Sequence, residues 1–240
     1  MAVLHEEKIT EVKINNNGDG KITTKKQAYE FVSSLSDPSK MPGRGWGISP
    51  SKCKRGAVLH KTNPDSICKH CYAMKGRYAF PNVMESHEKR LDKYYNEPRW
   101  KEAMIFLIKS EKYFRWFDSG DLQSVKMLKD IIEICYATPD TNHWMSTRES
   151  GIILTYKMIH ENKLPFPKNL CIRISNDEID KAPPCKIDGC HNSMTVSKNY
   201  KDSFNKQCPV SFNEDISSCD EAGCYSCWNN NVDLILYKLH

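Results

Sequence analysis

The sequence has no run approaching the ~20 consecutive apolar residues of a membrane span, so no membrane partner is expected. Its first residues, MAVLHEEKITEV, lack the basic start and apolar core of a secretory leader. The expected location is therefore a reducing cytoplasm, where disulfides are rare. An even cysteine count is also missing: there are eleven, so complete pairing is excluded and ligation is the better reading. Neither charge sign dominates. Lys and Arg number 35 against 30 Asp and Glu, a net +5, as consistent with a solvated surface as with a phosphate or nucleic-acid partner. NNNGDGK at 15–21 resembles the start of a calcium loop, but the twelfth position, where an acid is required, is Lys26; calcium is excluded. With 39% hydrophobic and 27% charged residues in 240, what remains is a globular chain of one large domain or two small ones.

Residues 45–80, GWGISPSKCKRGAVLHKTNPDSICKHCYAMKGRYAF, organise the rest. Cys53, Cys68 and Cys71 lie in a stretch whose Gly, Pro, Ser and Lys content reads as loop rather than as packed helix or strand. Three neighbouring thiolates repel unless a cation neutralises them. A metal ion or iron–sulfur cluster is the economical explanation, and three ligands leave one coordination position open for chemistry. A second group, CPVSFNEDISSCDEAGCYSCW, spaces Cys208, Cys219, Cys224 and Cys227 with ten, four and two residues between them. Four thiolates make a closed site for zinc or a cubane cluster, structural or electron-carrying. Cys185, Cys190 and His191, in CKIDGCH, suit a substitute ligand or a separate zinc knuckle. Cys135 and Cys171 read as ordinary buried thiols.

Periodicity supplies the elements. EEKITEVKI at 6–14 alternates like an edge strand. Thr24 caps a short helix, KKQAYEFVSSL, and the following loop contains a short strand near Trp46–Ser49. A helix is predicted over 82–96, with Val83, His87, Leu91 and Tyr94 on one face. Another has Pro98 in its first turn and Ala103, Met104, Leu107 and Ile108 inward. YFRWF at 113–117 reads as a buried strand, and Ser124 as the cap of VKMLKDIIEICYA. HWMST at 143–147 is a strand followed by the helix GIILTYKMIHEN. NLCIRIS at 169–175 is a strand with Leu170, Ile172 and Ile174 on one face and Cys171, Arg173 and Ser175 on the other. Residues 180–230 read as loop, and VDLILYKL as a last strand or short helix. Strand–turn–helix repeating every ~30 residues signals parallel βα units, in which functional side chains follow the carboxyl ends of the strands. That rule selects Asp118, Ser119 and Asp121, then Arg148 and Glu149, then Arg173, Ser175 and Asn176. The Asp118-Ser119-Gly120-Asp121 turn suits an ammonium, ribose hydroxyls or acid–base work, or simply a helix N-terminus. Arg148 and Arg173 suit a carboxylate or phosphate, or surface ion pairs. Trp46, Tyr72, Trp144 and Trp228 suit core packing or the shielding of a cluster.

The segments GWGISPSKC, SICKHCYAMKGRYAFPNV, RWFDSGDLQS, WMSTRE, LCIRIS, CP…C…CYSCW and the terminal YKLH resemble, in order over residues 41–240, the bacteriophage gene product 88 family. That resemblance implies the cytoplasm of an infected host cell. The layout also resembles radical S-adenosylmethionine enzymes. This second resemblance implies an α/β fold, a partial (β/α)6 barrel over residues 41–180 preceded by a strand/helix extension (1–40) and followed by a Cys-rich, loop-dominated extension (181–240). It further implies a [4Fe-4S] cluster on Cys53, Cys68 and Cys71, with S-adenosylmethionine at its open iron. Asp118, Ser119, Asp121, Arg148, Arg173 and Ser175 would lie around that cofactor, its amino group at the Asp118–Asp121 turn. Cys208, Cys219, Cys224 and Cys227 would hold an auxiliary cluster. The departure is in spacing: the usual motif is C-x3-C-x2-C, and here fourteen residues separate the first pair. DSGDLQS is in turn similar to the DSGGFQ segment of tRNA-guanine transglycosylases. That likeness implies Asp118 as acid/base, zinc on Cys219, Cys224, Cys227 and His240, and a nucleic-acid substrate. The remaining alternative is a non-catalytic effector whose metal-stapled loops bind a host protein or nucleic acid.

Overall fold

The computed structural model describes residues 20–201 and 207–239; the strand expected at 6–14, most of the 15–21 turn and His240 lie outside them. Helix α1, Lys25–Val32, begins at a capping box: Thr24 Oγ1 accepts from the Gln27 amide at 3.2 Å while the Gln27 side chain accepts from the Thr24 amide. It stops three residues before the expected Leu35 because Ser33 takes a positive φ of 77°. Strand β1, Arg44–Trp46, ends where the expected strand near Trp46–Ser49 was to begin. Beyond it the chain crosses to the next strand's turn, with Ile48 N–H donating to Ser119 O at 3.0 Å.

Next come α2 (Arg55–Thr62), α3 (Pro81–Asn96) and α4 (Trp100–Ile108). Helix α3 buries His87, Leu91 and Tyr94 as expected, and Arg90 with them. Pro98 precedes α4 in a turn rather than entering it. Strand β2, Tyr113–Trp116, leads to α5, Val125–Ala137, capped by Ser124 Oγ on the Met127 amide at 3.1 Å. Strand β3 (Asn142–Thr147) leads to α6 (Ser150–His160), and β4 (Leu170–Ser175), β5 (His191–Val196), α7 (Pro209–Phe212) and β6 (Leu234–Lys238) follow.

The six strands form one sheet in the order β1-β2-β3-β4-β5-β6, every pair parallel. Such an order never reverses, so right-handed crossovers deliver their helices to the same face. There Trp46, Phe114, Trp116, Met145, Leu170, Ile172 and Ile174 share a core with the buried stripes of α1, α3, α4, α5 and α6. The sheet is open, with β1 and β6 as its edges. The β1 edge is covered by Ser36, which exchanges two hydrogen bonds with Gly45, and the β6 edge by Cys208 N–H on Leu236 O, so neither row of backbone groups is fully bare. The second face carries Tyr113, Trp144 and Tyr237, against which Cys208, Tyr225, Cys227 and Trp228 pack.

Two expectations are corrected. The stretch between Cys53 and Cys68 contains a helix, α2, with no buried residue. Residues 180–230 are not only loop: they supply β5, which joins the same sheet as β1–β4, while VDLILYKL forms a last strand, β6, as expected. Among the described residues no helix is long and apolar enough to cross a membrane.

Candidate functional site

The carboxyl ends of β1 to β4 converge on one rim. The cysteine loop starts there, because Cys53 follows β1 after a one-turn 3-10 helix, Pro50–Lys52. After helix α2 the chain turns at Asn63–Asp65, where Asp65 O accepts from Ile179 N–H at 3.3 Å, and returns along the helix. Cys68 and Cys71 lie in and just after a 3-10 turn at Ile67–His70, where the Cys68 amide donates to Ser66 Oγ at 3.1 Å. His60 Nδ1–H on the Cys68 carbonyl, at 3.0 Å, pins the two limbs together. Residues far apart in sequence thereby meet. A Cβ built on Gly56 would stand 3.4 Å from the Cys68 sulfur and 3.7 Å from the Cys53 sulfur, so both sulfurs border the space that this glycine keeps clear.

The loop is clamped to three strand ends. Lys54 Nζ donates to Gln123 O at 2.6 Å after β2. The Arg55 amide donates to Glu149 Oε1 at 2.8 Å after β3. The Arg55 guanidinium pairs with Asp177 after β4, and Ile67 N–H reaches Asp177 O at 3.0 Å. Burial pushes the Cys53 thiol up strongly, and Asp121, Cys71 and Cys68 add to the rise, while Arg148 opposes it. Cys68 is raised by burial too, again against Arg148. Cys53 and Cys68 thus feel the charge of neighbouring thiols, which a bound cation would relieve.

The turn after β2 is held under strain. Phe117 sits at φ 59° and Gly120 at φ 76°, the first being costly for a side-chain-bearing residue. A Cβ on Gly47 would collide with the Asp118 carboxylate and come within 2.7 Å of Ser119 O; glycine there lets β1 and the turn close together. Tyr72, from the cysteine loop, donates its hydroxyl to Asp118 O at 2.6 Å, and Tyr78 lies at 3.5 Å from Asp118 Oδ2. Asp118 and Ser119 are 3% and 2% exposed, yet Asp118 Oδ1 and Ser119 Oγ have no hydrogen-bond partner among the described residues. A buried, unpartnered carboxylate oxygen is expensive, and such atoms mark a place built for a ligand.

The other predicted residues divide. Asp121 is fully engaged: Oδ1 accepts from Thr147 Oγ1 (2.6 Å) and the Leu122 amide (2.7 Å), and Oδ2 from the Arg148 amide (2.9 Å). Burial still lifts its carboxyl to about 6, against those hydrogen bonds. It ties the ends of β2 and β3 together. Arg148 donates from Nε to Asn176 O at 2.9 Å, and its charge acts on Cys53 and Cys68. Arg173 is a correction. Fully buried, it directs all five N–H donors at backbone carbonyls: Cys227 at 3.2 Å, Asn192 at 3.3 Å, Val232 at 2.8 Å, Ser226 at 2.8 Å and Asn229 at 3.1 Å. No donor remains for a cofactor. Ser175 Oγ bonds Ser193 Oγ at 3.0 Å, and Asn176 closes its own turn through Glu178, Lys181 and Thr195.

The second cysteine group lies on the opposite face of the sheet from the helices. Burial, followed by the charges of Cys208 and Cys224, lifts Cys219 to about 11. Cys227 is pushed up to about 12, by burial first, with Cys208 and Cys219 adding to the rise. Its sulfur meets Tyr237 Oη at 3.0 Å. Trp228 Nε1–H donates to Phe114 O at 3.0 Å, and Tyr225 stacks on Tyr113 at 4.9 Å, seating the segment on the sheet. Cys190 also senses Cys171 and Cys185. Among the described residues, no three His, Cys, Asp or Glu side chains are gathered tightly enough, as they stand, to close on an ion. The donor chemistry nonetheless suits a soft metal: two sets of thiols that sense each other's charge, one beside a glycine that keeps space clear.

Tyr78, Thr147 and Lys54 carry the site's geometry without having been singled out, and Tyr72, read as a packing or shielding residue, instead fixes the Asp118 turn. Only Tyr72 and Tyr78 gave a signal, as aromatics within the cysteine stretch. Comparison with curated proteins and with solved structures returned no match. The gene product 88 profile matches residues 13–234, nearly the whole chain; the protein belongs to the gene product 88 family.

Proposed function

We propose that this protein is an iron–sulfur enzyme of the radical S-adenosylmethionine type. Cys53, Cys68 and Cys71 hold a [4Fe-4S] cluster, and Cys208, Cys219, Cys224 and Cys227 hold a second cluster or zinc. The observation that carries the reading is the return of the chain along α2, which brings the Cys53 and Cys68 sulfurs to one space beside Gly56 at the carboxyl end of β1. A parallel sheet in unbroken sequence order with helices on one face suits the partial (β/α)6 barrel that this chemistry goes with. When bound, the first cluster would supply the electron that cleaves the cofactor's carbon–sulfur bond.

The remaining roles belong to the chain. Asp118 offers a buried, unpaired carboxylate oxygen to the cofactor's ammonium, and the Ser119 hydroxyl stands one residue on. Tyr72 holds the Asp118 carbonyl from the cysteine loop, so loop and turn keep a fixed separation. Arg148 lends positive charge to the thiolates, favouring their deprotonation before metal enters.

The test is anaerobic purification with metal, sulfide and absorption measurements. Brown protein with about eight irons per chain, if both centres are cubanes, and 5′-deoxyadenosine on reduction with dithionite are expected. Cys53→Ala should abolish that product and about half of the iron. Colourless protein holding zinc alone under the same conditions overturns the reading. It would favour zinc-dependent base exchange on nucleic acid, in which the unpaired Asp118 oxygen serves as acid or base.

A further inference from the structure

The chain's positive charge is not spread over its surface. Residues 52–80 contain seven Lys and Arg against one acid, Asp65, so this segment carries +6 of a chain whose whole charge is +5. Three of the seven are engaged: Lys52 with Glu88 at 3.1 Å, Lys54 with the Gln123 carbonyl, and Arg55 with Asp177. The other four, Lys61, Lys69, Lys75 and Arg77, are exposed and have no ion-pair partner among the described residues. Elsewhere Lys89, Lys101, Lys126, Lys129, Lys157, Lys181 and Lys238 lie against carboxylates, and exposed lysines without an ion pair, such as Lys109, Lys163, Lys168 and Lys198, are dispersed along the chain.

The same stretch concentrates exposed apolar side chains. Of nine large hydrophobic residues exposed among the described residues, five fall between positions 58 and 84: Val58, Tyr72, Met74, Phe80 and Met84. Phe80 is 55% exposed and Tyr72 41%. Tyr72 is rigid despite its exposure, its hydroxyl fixed to Asp118 O at 2.6 Å and its ring edge-on to Tyr78 at 5.6 Å. Unneutralised cations interleaved with exposed aromatic rings suit a polyphosphate whose bases are free to stack. A duplex would hide those bases, and a free phosphate would leave the rings unused.

We propose that the segment bearing Lys61, Lys69, Tyr72, Lys75, Arg77 and Phe80, which adjoins Asp118 through Tyr72 and Tyr78, binds single-stranded nucleic acid and delivers it to the rim at Asp118. This assignment does not depend on what Cys53, Cys68 and Cys71 hold. It makes a nucleotide within a strand, rather than a free small molecule, the substrate class of the neighbouring site.

The experiment is fluorescence anisotropy of the full chain with labelled oligo-dT and oligo-U, across a salt series. Micromolar or tighter binding at low salt is expected, and four phosphate contacts predict a log–log salt slope of about −3. Reversing Lys61, Lys69, Lys75 and Arg77 to Glu should weaken binding at least about thirty-fold, and Phe80→Ala at least about five-fold. Reversing the exposed Lys109, Lys163, Lys168 and Lys198 instead should leave it within about two-fold, which separates this face from net charge. Preference for oligo-U or oligo-dT identifies the source of the strand. Absence of binding, equal loss in both reversal variants, or heparin binding as tightly with Phe80→Ala silent would each overturn the proposal. All of these readouts are independent of iron content and of 5′-deoxyadenosine formation.

Discussion

Arg173→Lys is the sharpest test of how the Cys-rich segment is held. The arginine donates five hydrogen bonds, four of them to carbonyls between Ser226 and Val232 and one to Asn192. Lysine keeps the charge but has only three donors on a single nitrogen, so at least two carbonyls lose their partner in a fully buried place. A hydrogen bond to a charged donor contributes about 1.5–3 kcal/mol, which makes the expected loss about 3–6 kcal/mol. That is a large part of the ~5–15 kcal/mol that stabilises an ordinary domain. Urea unfolding followed by tryptophan fluorescence should show a lower midpoint, with Trp144 and Trp228 close enough to report it. Hydrogen exchange should locate the damage, with amides at 226–232 losing protection before those of β2 and β3. A variant within about 1 kcal/mol of the parent, with protection at 226–232 unchanged, would refute the claim that this side chain fastens the segment to β4.

Further outcomes follow from buried or crowded groups. His143 is fully buried between Trp116 Nε1–H (3.3 Å) and Thr138 Oγ1 (2.9 Å), and burial pushes its pKa down to about 3. The unfolded chain takes up this proton near pH 6.5 and the folded chain does not. Stability contributed above pH 6.5 is therefore lost as pH falls toward 3, by about 2 kcal/mol between pH 7 and pH 5. Asp121, with its carboxyl raised, acts in the opposite sense, so the comparison to make is with His143→Phe, whose unfolding free energy should fall less steeply over that range; parallel profiles would contradict this. Gly47→Ala forces a methyl into the Asp118 turn and should cost about 1–3 kcal/mol in denaturant unfolding, whereas Gly151→Ala, which meets nothing within 4 Å, should be neutral or stabilising. Replacing Cys208, Cys219, Cys224 and Cys227 by Ser should remove one metal centre and leave the other's metal content intact; loss of both would mean the two groups do not load independently.

Much of the fold was legible because its elements advertise themselves locally. The stripe of α5 behind Ser124, the alternation of β4 and the strand–turn–helix repeat each follow from a period and a cap. What stayed hidden depends on partners remote in sequence. Helix α2 buries nothing, so it has no apolar stripe to detect; the hydrogen bonds of Lys54, Arg55 and Ile67 to other strand ends hold it. Strand β5 reads HNSMTV between Gly- and Lys-rich turns, and only its place between β4 and β6 makes it a strand. The rim rule pointed to Asp118 and Ser119, whose buried atoms lack partners among the described residues, through their position after β2. The same rule misjudged Arg173, because four of the five carbonyls it serves lie 53–59 residues further along the chain. The bond that holds Asp121 was hidden for a similar reason: its partner Thr147 belongs to the neighbouring strand.

The hairpin between Cys53 and Cys68 changes what a cysteine pattern has to preserve. Because the outgoing limb is helical, lengthening it by a whole turn of three or four residues keeps the two sulfurs facing only if the returning limb also gains enough residues to span the added ~5.4 Å. One added residue would instead swing the returning limb about 100° around the axis. A pattern search keyed to compact cysteine triplets passes over such an arrangement; a search for two cysteines bracketing a helical hairpin, with glycine three residues after the first, would find it.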